Sequence, residues 1–191
     1  MRKPLLCCVL TIAILLGTLM VPTLAAFTDE EDIISKAAVE ECVSLGIIAG
    51  RDDGSFGPSM PVTRGEMAKM ITLILHGGND PTISKNGAAP EYKPPVIPTY
   101  SDIHNHWAKA YIEYCASQGI IAGMGDGTFN PDGSVSGAHV AKMLLVSLGY
   151  DAKIEYFVGA NWAMYVGLRA KAISLYHELP NGFNQNAPLS R

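Results

Sequence analysis

The chain has 191 residues, 48% of them hydrophobic, and a formal net charge of −4 at pH 7. That length holds one or two small domains. The acidic balance excludes bulk electrostatic binding to nucleic acid or to an anionic membrane, so any anion recognised here must be held by a local site.

Residues 1–26 carry a basic start (Arg2, Lys3), an apolar run from Leu5 to Val21, and a small-residue exit at Ala25-Ala26. This pattern reads as a secretory signal peptide cleaved after Ala25 or Ala26. An uncleaved anchor is the rival reading, because the apolar run is just under the length of a membrane-spanning helix. Cleavage leaves 12 basic and 18 acidic residues, no membrane segment, and only Cys42 and Cys115 as cysteines. Both fall in apolar helical stretches, which favours small core residues over a disulfide or a metal pair.

The first unit, residues 27–77, opens on Phe27-Thr28-Asp29. Ile34, Ala38, Cys42 and Leu45 then share one face of a helix predicted from about Glu30 to Leu45. Gly46 sits where a helix-terminating glycine belongs, and Asp53-Gly54 is turn chemistry. A second helix opens at Thr63-Arg64-Gly65-Glu66, a Thr-x-x-Glu capping box. Residues 78–99 hold five prolines without apolar periodicity and read as an extended, poorly ordered linker.

The second unit, residues 100–150, repeats the first without a gap at a shift of 73, with 20 of 51 positions identical. Gly46-Ile47-Ile48-Ala49-Gly50 returns letter for letter as Gly119-Ile120-Ile121-Ala122-Gly123. Cys42 and Cys115 are the same position of the repeat. In the second helix of this unit Ser136 can still cap, but Gly137 and His139 stand where Arg64 and Glu66 stand in the first. Residues 151–191 form a weaker third unit. Asn161-Trp162-Ala163 echoes His106-Trp107-Ala108, Asn181-Gly182-Phe183 echoes the Asp126-Gly127-Thr128-Phe129 loop, and Leu189-Ser190-Arg191 echoes Val62-Thr63-Arg64. The sequence given stops at the first turn of the expected last helix. The third unit therefore reads as truncated, and the helix around residues 161–172 is expected to lack half its cover.

An aromatic-x-Asp start, His-Trp-Ala opening a helix, Gly-Ile-Ile-x-Gly, Asp-Gly-x-Phe-x-Pro and Val-Thr-Arg-x-Glu together make a specific pattern. The chain resembles the S-layer homology family on these residues. The first unit lacks His-Trp-Ala, and the second lacks Thr-Arg-x-Glu. The resemblance implies a mainly α fold of helix–loop–helix units in a pseudo-threefold helical bundle, here with an incomplete third unit. It implies a secreted, non-catalytic module at the cell wall that anchors non-covalently to a cell-wall polysaccharide, commonly one bearing pyruvate ketals. By the same resemblance, Arg64 and formally Arg191 match the groove arginine. Thr63, Glu66, Asp29, Asp102 and Trp107 are the accompanying glycan-binding candidates. Gly137 puts a second equivalent site in doubt.

The residues themselves leave alternatives open. A cation in the first turn of a helix faces the positive end of the macrodipole, a penalty of roughly 0.3–1 kcal/mol, so Arg64 makes sense beside an anionic ligand. The other reading is an arginine paired with Glu66 or Asp53. Trp107 and Trp162 could stack on sugars, although equal helical positions in repeated units favour packing between units. Asp29 and Asp102 could cap helices or begin turns. The Asp52-Asp53-Gly54 loop lacks the ligand spacing of a calcium loop, and His104 and His106 have no companion metal set. No cofactor and no catalytic constellation is indicated. Arg64→Ala is expected to weaken glycan binding far more than His139→Ala. Two other functions stay open: a surface-layer subunit that associates with other surface-layer chains, and the anchoring arm of a truncated secreted enzyme.

Overall fold

The computed structural model describes residues 27–191; the signal-peptide reading lies outside them. Among the described residues the fold is mainly helical. It contains α1 (Lys36–Ser44), α2 (Arg64–Leu75), α3 (Lys109–Ser117), α4 (Gly137–Ser147) and α5 (Trp162–Ala172), with short 3-10 turns at Glu30–Asp32 and Ser101–Ile103. None of these helices is long and apolar enough to cross a membrane.

The repeat is visible in the local chemistry. Gly46 (φ +71°) and Gly119 (φ +69°) hold the left-handed position after α1 and α3, where a side chain would be strained. Beyond each glycine the chain turns back to bond the helix: Ile47 N–H donates to the Cys42 carbonyl and Ile120 N–H to the Cys115 carbonyl, both at 2.9 Å. The capping box forms as expected, with Glu66 N–H donating to Thr63 Oγ1 at 3.1 Å and Thr63 N–H to Glu66 Oε2 at 2.8 Å. At α4 only half survives: Ser136 Oγ accepts from His139 N–H at 3.4 Å.

Three short extended segments close the units into a ring. Val62 N–H donates to the Leu189 carbonyl, Leu189 N–H to that of Val135, and Val135 N–H to that of Val62, each at 2.9 Å. A second set runs alongside, from Arg64 N–H to Gly133, Gly137 N–H to Ala187 and Arg191 N–H to Met60. This is a pseudo-threefold arrangement in which residues 187–191 fill the third place.

The ring dictates which helices meet. The second helix of each unit leaves its own unit and packs on the first helix of the next: α2 on α3, and α4 on α5. α2 and α4 also touch near the axis. The main core joins Ile71 of α2 to Ile103, Ile112, Cys115, Phe129 and Val135 of the second unit, and a smaller one joins Leu145 of α4 to Phe157, Val166 and Ala170. Burying each large apolar side chain here contributes about 1.5–3 kcal/mol.

Three expectations change in consequence. The first helix is not continuous from Glu30 to Leu45. A 3-10 turn comes first and α1 begins only at Lys36, because Asp29 fastens the entry to the loop at Phe56 and Gly57. The helix without cover is α1, not α5: α5 lies on α4 with Val166 and Ala170 fully buried, whereas α1 has no buried residue and Ile34 is 90% exposed. Finally, residues 78–99 do not stand free but strap α3. Tyr111 Oη–H donates to Asp80 Oδ2 at 2.5 Å, Thr99 donates to both oxygens of Glu113 at 2.6 Å, and the Tyr92 ring meets Tyr114 edge-on.

Candidate functional site

Arg64 opens α2, but its side chain does not stay with its own unit. Nε donates to the Phe129 carbonyl at 2.8 Å and Nη2 to the Ala122 carbonyl at 3.0 Å, with the guanidinium 4.3 Å above the Phe129 ring. The first unit thus supplies the cation to the loop of the second. Burial pushes the arginine's pKa down while Tyr100 and Asp102 push it back up; it stays cationic, and three of its five N–H bonds remain beyond those two carbonyls.

Around it lies a groove of about 280 Å³ built by three units: Arg64 from the first, residues 120–124 with His139, Lys142 and Met143 from the second, and Trp162 from the third. His139 stacks obliquely on Trp162 with ring centroids 4.9 Å apart, and Lys142 Nζ lies 5.4 Å from the same ring's centre. Burial lowers the pKa of both, and the charges of Arg64 and Lys142 lower that of His139 further. Among the described residues no carboxylate lines the groove. Its chemistry suits a ligand with one flat apolar face and one negative group.

The same geometry recurs around Arg191. Its Nη2 donates to the Ala49 carbonyl at 2.7 Å and its guanidinium lies 4.8 Å from the centre of the Phe56 ring. By the repeat relation, Glu66, Lys69 and Trp107 stand here where His139, Lys142 and Trp162 stand in the first groove. Lys69 Nζ lies 5.7 Å from the Tyr111 ring centre, and the charge of Glu66 acts on Arg191. At the third position Gly137 replaces the arginine. A Cβ there would fall 2.5 Å from Phe183 Cζ, so the backbone and Phe183 occupy the space. An apolar pocket of about 160 Å³ lined by Val140, Leu144, Leu175, Tyr176 and Phe183 takes the groove's place.

The structure therefore divides the candidates read from the sequence. Arg64 lines one groove, Glu66 acts on Arg191, and Trp107 lies 6.3 Å from the Tyr111 ring that Lys69 approaches. Thr63 is held by the capping box. Asp29 and Asp102 are loop fasteners. Asp29 accepts from Phe56 N–H at 2.7 Å and Gly57 N–H at 2.8 Å, and Asp102 from Phe129 N–H at 2.8 Å and Asn130 N–H at 2.6 Å. The Phe56 amide above all holds the Asp29 pKa below the usual carboxylate value. Trp107, expected in the core, is 54% exposed, and Trp162 lines a groove. Gly137 removes the second unit's arginine, and the groove that loses it is the third unit's, because each unit lends its arginine to the next. His139 and Lys142 were missed as ligand candidates. The signal for Lys142 was its identity with Lys69 at the repeat shift; none existed for the crossing between units. Among the described residues no cluster of His, Cys, Asp and Glu is placed to hold a metal.

The model of the S-layer homology domain matches residues 26–68 and 99–141, the two repeats on which the grooves are built. Both segments are S-layer homology domains. The chain is 34% identical over 96 residues to an uncharacterized cell wall amidase of Bacillus anthracis, covering 50% of this chain and 16% of that protein. It is 28% identical over 118 residues to an S-layer protein of Bacillus licheniformis, covering 62% and 12%. A cell surface protein of Thermoanaerobacter kivui is 26% identical over 186 residues, covering 95% of this chain and 22% of that one. The chain thus spans between 12% and 22% of the length of these relatives. With its S-layer homology domains and these relatives, it is a cell-surface protein.

Proposed function

We propose that this chain is a non-catalytic anchoring module that binds a cell-wall polysaccharide, holding it through the groove that contains Arg64. The observation that carries the reading is the composition of that groove. Arg64, Lys142 and Trp162 line it together, Lys142 Nζ lies 5.4 Å from the Trp162 ring centre, and among the described residues no acid lines it. A guanidinium already braced by two carbonyls can add a bidentate contact to a carboxylate without losing its orientation. A pyruvyl carboxylate on a sugar fits that description, with the sugar ring against the indole. The relatives support the reading: S-layer and cell surface proteins match over these units, and the cell wall amidase matches over half of this chain.

Co-sedimentation with purified cell-wall sacculi tests it. Native sacculi should retain the protein, and sacculi chemically stripped of secondary polymer should not; equal retention by both sinks the proposal. Arg64→Ala should weaken binding by about 10- to 100-fold, the weight of one or two charge-assisted hydrogen bonds. Unchanged affinity in a folded variant shows that the ligand lies elsewhere.

A second reading rests on α1. Ile34 before it and Leu45 after it are 90% and 50% exposed, and among the described residues no helix packs closely on α1. A surface-layer subunit would cover such a helix with a second copy of the chain. Light scattering should then show association that grows with concentration, and a clean monomer counts against it.

A further inference from the structure

We infer that His139 makes anion binding in the Arg64 groove proton-linked, so that the polymer is held more tightly as the pH falls below neutrality. The inference rests on the anchoring proposal and adds its regulation.

The argument starts from position. His139 is the fourth residue of the half-lost capping box, and its Nδ1 lies 2.7 Å from Ser136 Oγ. That contact fixes the ring against Trp162 and leaves the other nitrogen as its free polar edge. The groups facing it are Arg64 from α2, Lys142 and Ser136 from its own helix, and Trp162 from α5. The loop at residues 120–124 adds only apolar side chains and backbone. Two cations and an indole therefore surround an imidazole, and among the described residues the carboxylate that acts on this set, Asp102 on Arg64, is tied to the Phe129 and Asn130 amides outside the groove lining.

The sign follows from those charges. In the free protein, burial and then the charges of Arg64 and Lys142 hold the His139 pKa below its ordinary value of 6.5, so near neutrality the ring is uncharged. An anion lodged between Arg64 and Lys142 offsets both charges. The imidazolium is then less disfavoured in the complex than in the free protein, and its pKa rises on binding. Binding takes up a proton. The affinity is greatest below the free-state pKa, falls as the pH climbs through the window between the two values, and levels off above the bound-state value.

The other groove supplies the contrast. Its residue at this position is Glu66, whose carboxylate is held by Thr63 N–H and acts on Arg191. A carboxylate there does not favour an anion. The substitution of His for Glu thus separates two arginine positions that the repeat otherwise makes equivalent.

The test is co-sedimentation of the chain with native sacculi from about pH 5 to about pH 8, the range in which an imidazole titrates. Wild-type affinity should fall about three- to tenfold across that range. His139→Gln keeps a Ser-x-x-Gln capping pair, so it should fold and lose the slope, binding at every pH at the weaker level that the wild type shows near pH 8. A flat wild-type profile overturns the inference while leaving the anchoring proposal intact, and so does a slope that persists in His139→Gln, which would belong to the polymer. Failure of the wild type to bind at any pH overturns both. As a second readout, the His139 imidazole should titrate at higher pH when polymer released from the sacculi is added; an unmoved titration overturns the proton link.

Discussion

α1 and α3 are the same element of the repeat and end in different environments. They share lysine, alanine, glutamate, cysteine and serine at Lys36/Lys109, Ala37/Ala110, Glu40/Glu113, Cys42/Cys115 and Ser44/Ser117. α3 nevertheless buries Tyr111, Ile112, Glu113 and Cys115, whereas α1 buries none of its residues. The difference lies in what packs on each helix. α2 covers α3 and the strap of residues 78–99 closes over its flank, while among the described residues no helix packs closely on α1. A helix in this fold is therefore completed by its neighbour's unit, and identical residues carry different energies in the two places.

The largest expected contrast is in the two thiols. Cys115 is fully buried, burial pushes its pKa up to about 11, and it lies 3.4 Å from Thr72 Oγ1; Cys42 is half-buried, and burial raises its pKa as well. Labelling of Cys115 has to wait for the core to open, which in a domain of ordinary stability slows it about a thousandfold or more. Under native conditions a thiol reagent should modify Cys42 first by that factor. Similar rates would mean that α2 does not hold α3.

Truncation of the core sharpens the same point. Ile112 and Val39 are equivalent in the repeat, yet Ile112 is fully buried and Val39 only half-buried. Ile112→Ala should cost about 2–5 kcal/mol in denaturant unfolding and Val39→Ala less than about 1 kcal/mol. Equal losses would show that α1 is covered in solution. The smallest contrast lies at the shared glutamates. Glu113 is buried and accepts two hydrogen bonds from Thr99, while Glu40 is exposed. Glu113→Ala should cost about 1–3 kcal/mol, and Glu40→Ala no more than about 0.5 kcal/mol. If Glu113→Ala is equally mild, the strap does not fasten the second unit.

Much of the frame was legible in the residues. The 73-residue shift, the glycines that end α1 and α3, the Thr63–Glu66 box and the weaker cap at Ser136 all depend on bonds within a few residues. Such bonds form wherever the local pattern permits. Arg64 was legible as well, because a cation in the first turn of a helix is out of place unless something beyond that helix uses it. Its partner was not. Nothing near position 64 signals that its side chain crosses to carbonyls at 122 and 129, or that Arg191 crosses to 49. Where the Gly137 loss falls was hidden for the same reason, since the arginine it lacks would have served the loop of the following unit. Trp107 was misjudged because equal positions in a repeat do not imply equal burial: it is 54% exposed, whereas Trp162 packs partly buried against the smaller core.

The sequence by itself determined the repeat, the helices and their caps, since these follow from propensity and from hydrogen bonds of short range. The tertiary structure alone decided which helix is buried, which arginine serves which loop, and that His139, Lys142 and Trp162 meet in one groove. The physical reason is the ring of hydrogen bonds among Val62, Val135 and Leu189. It hands the second helix of each unit to the next, so every site here is assembled from residues that no single unit contains.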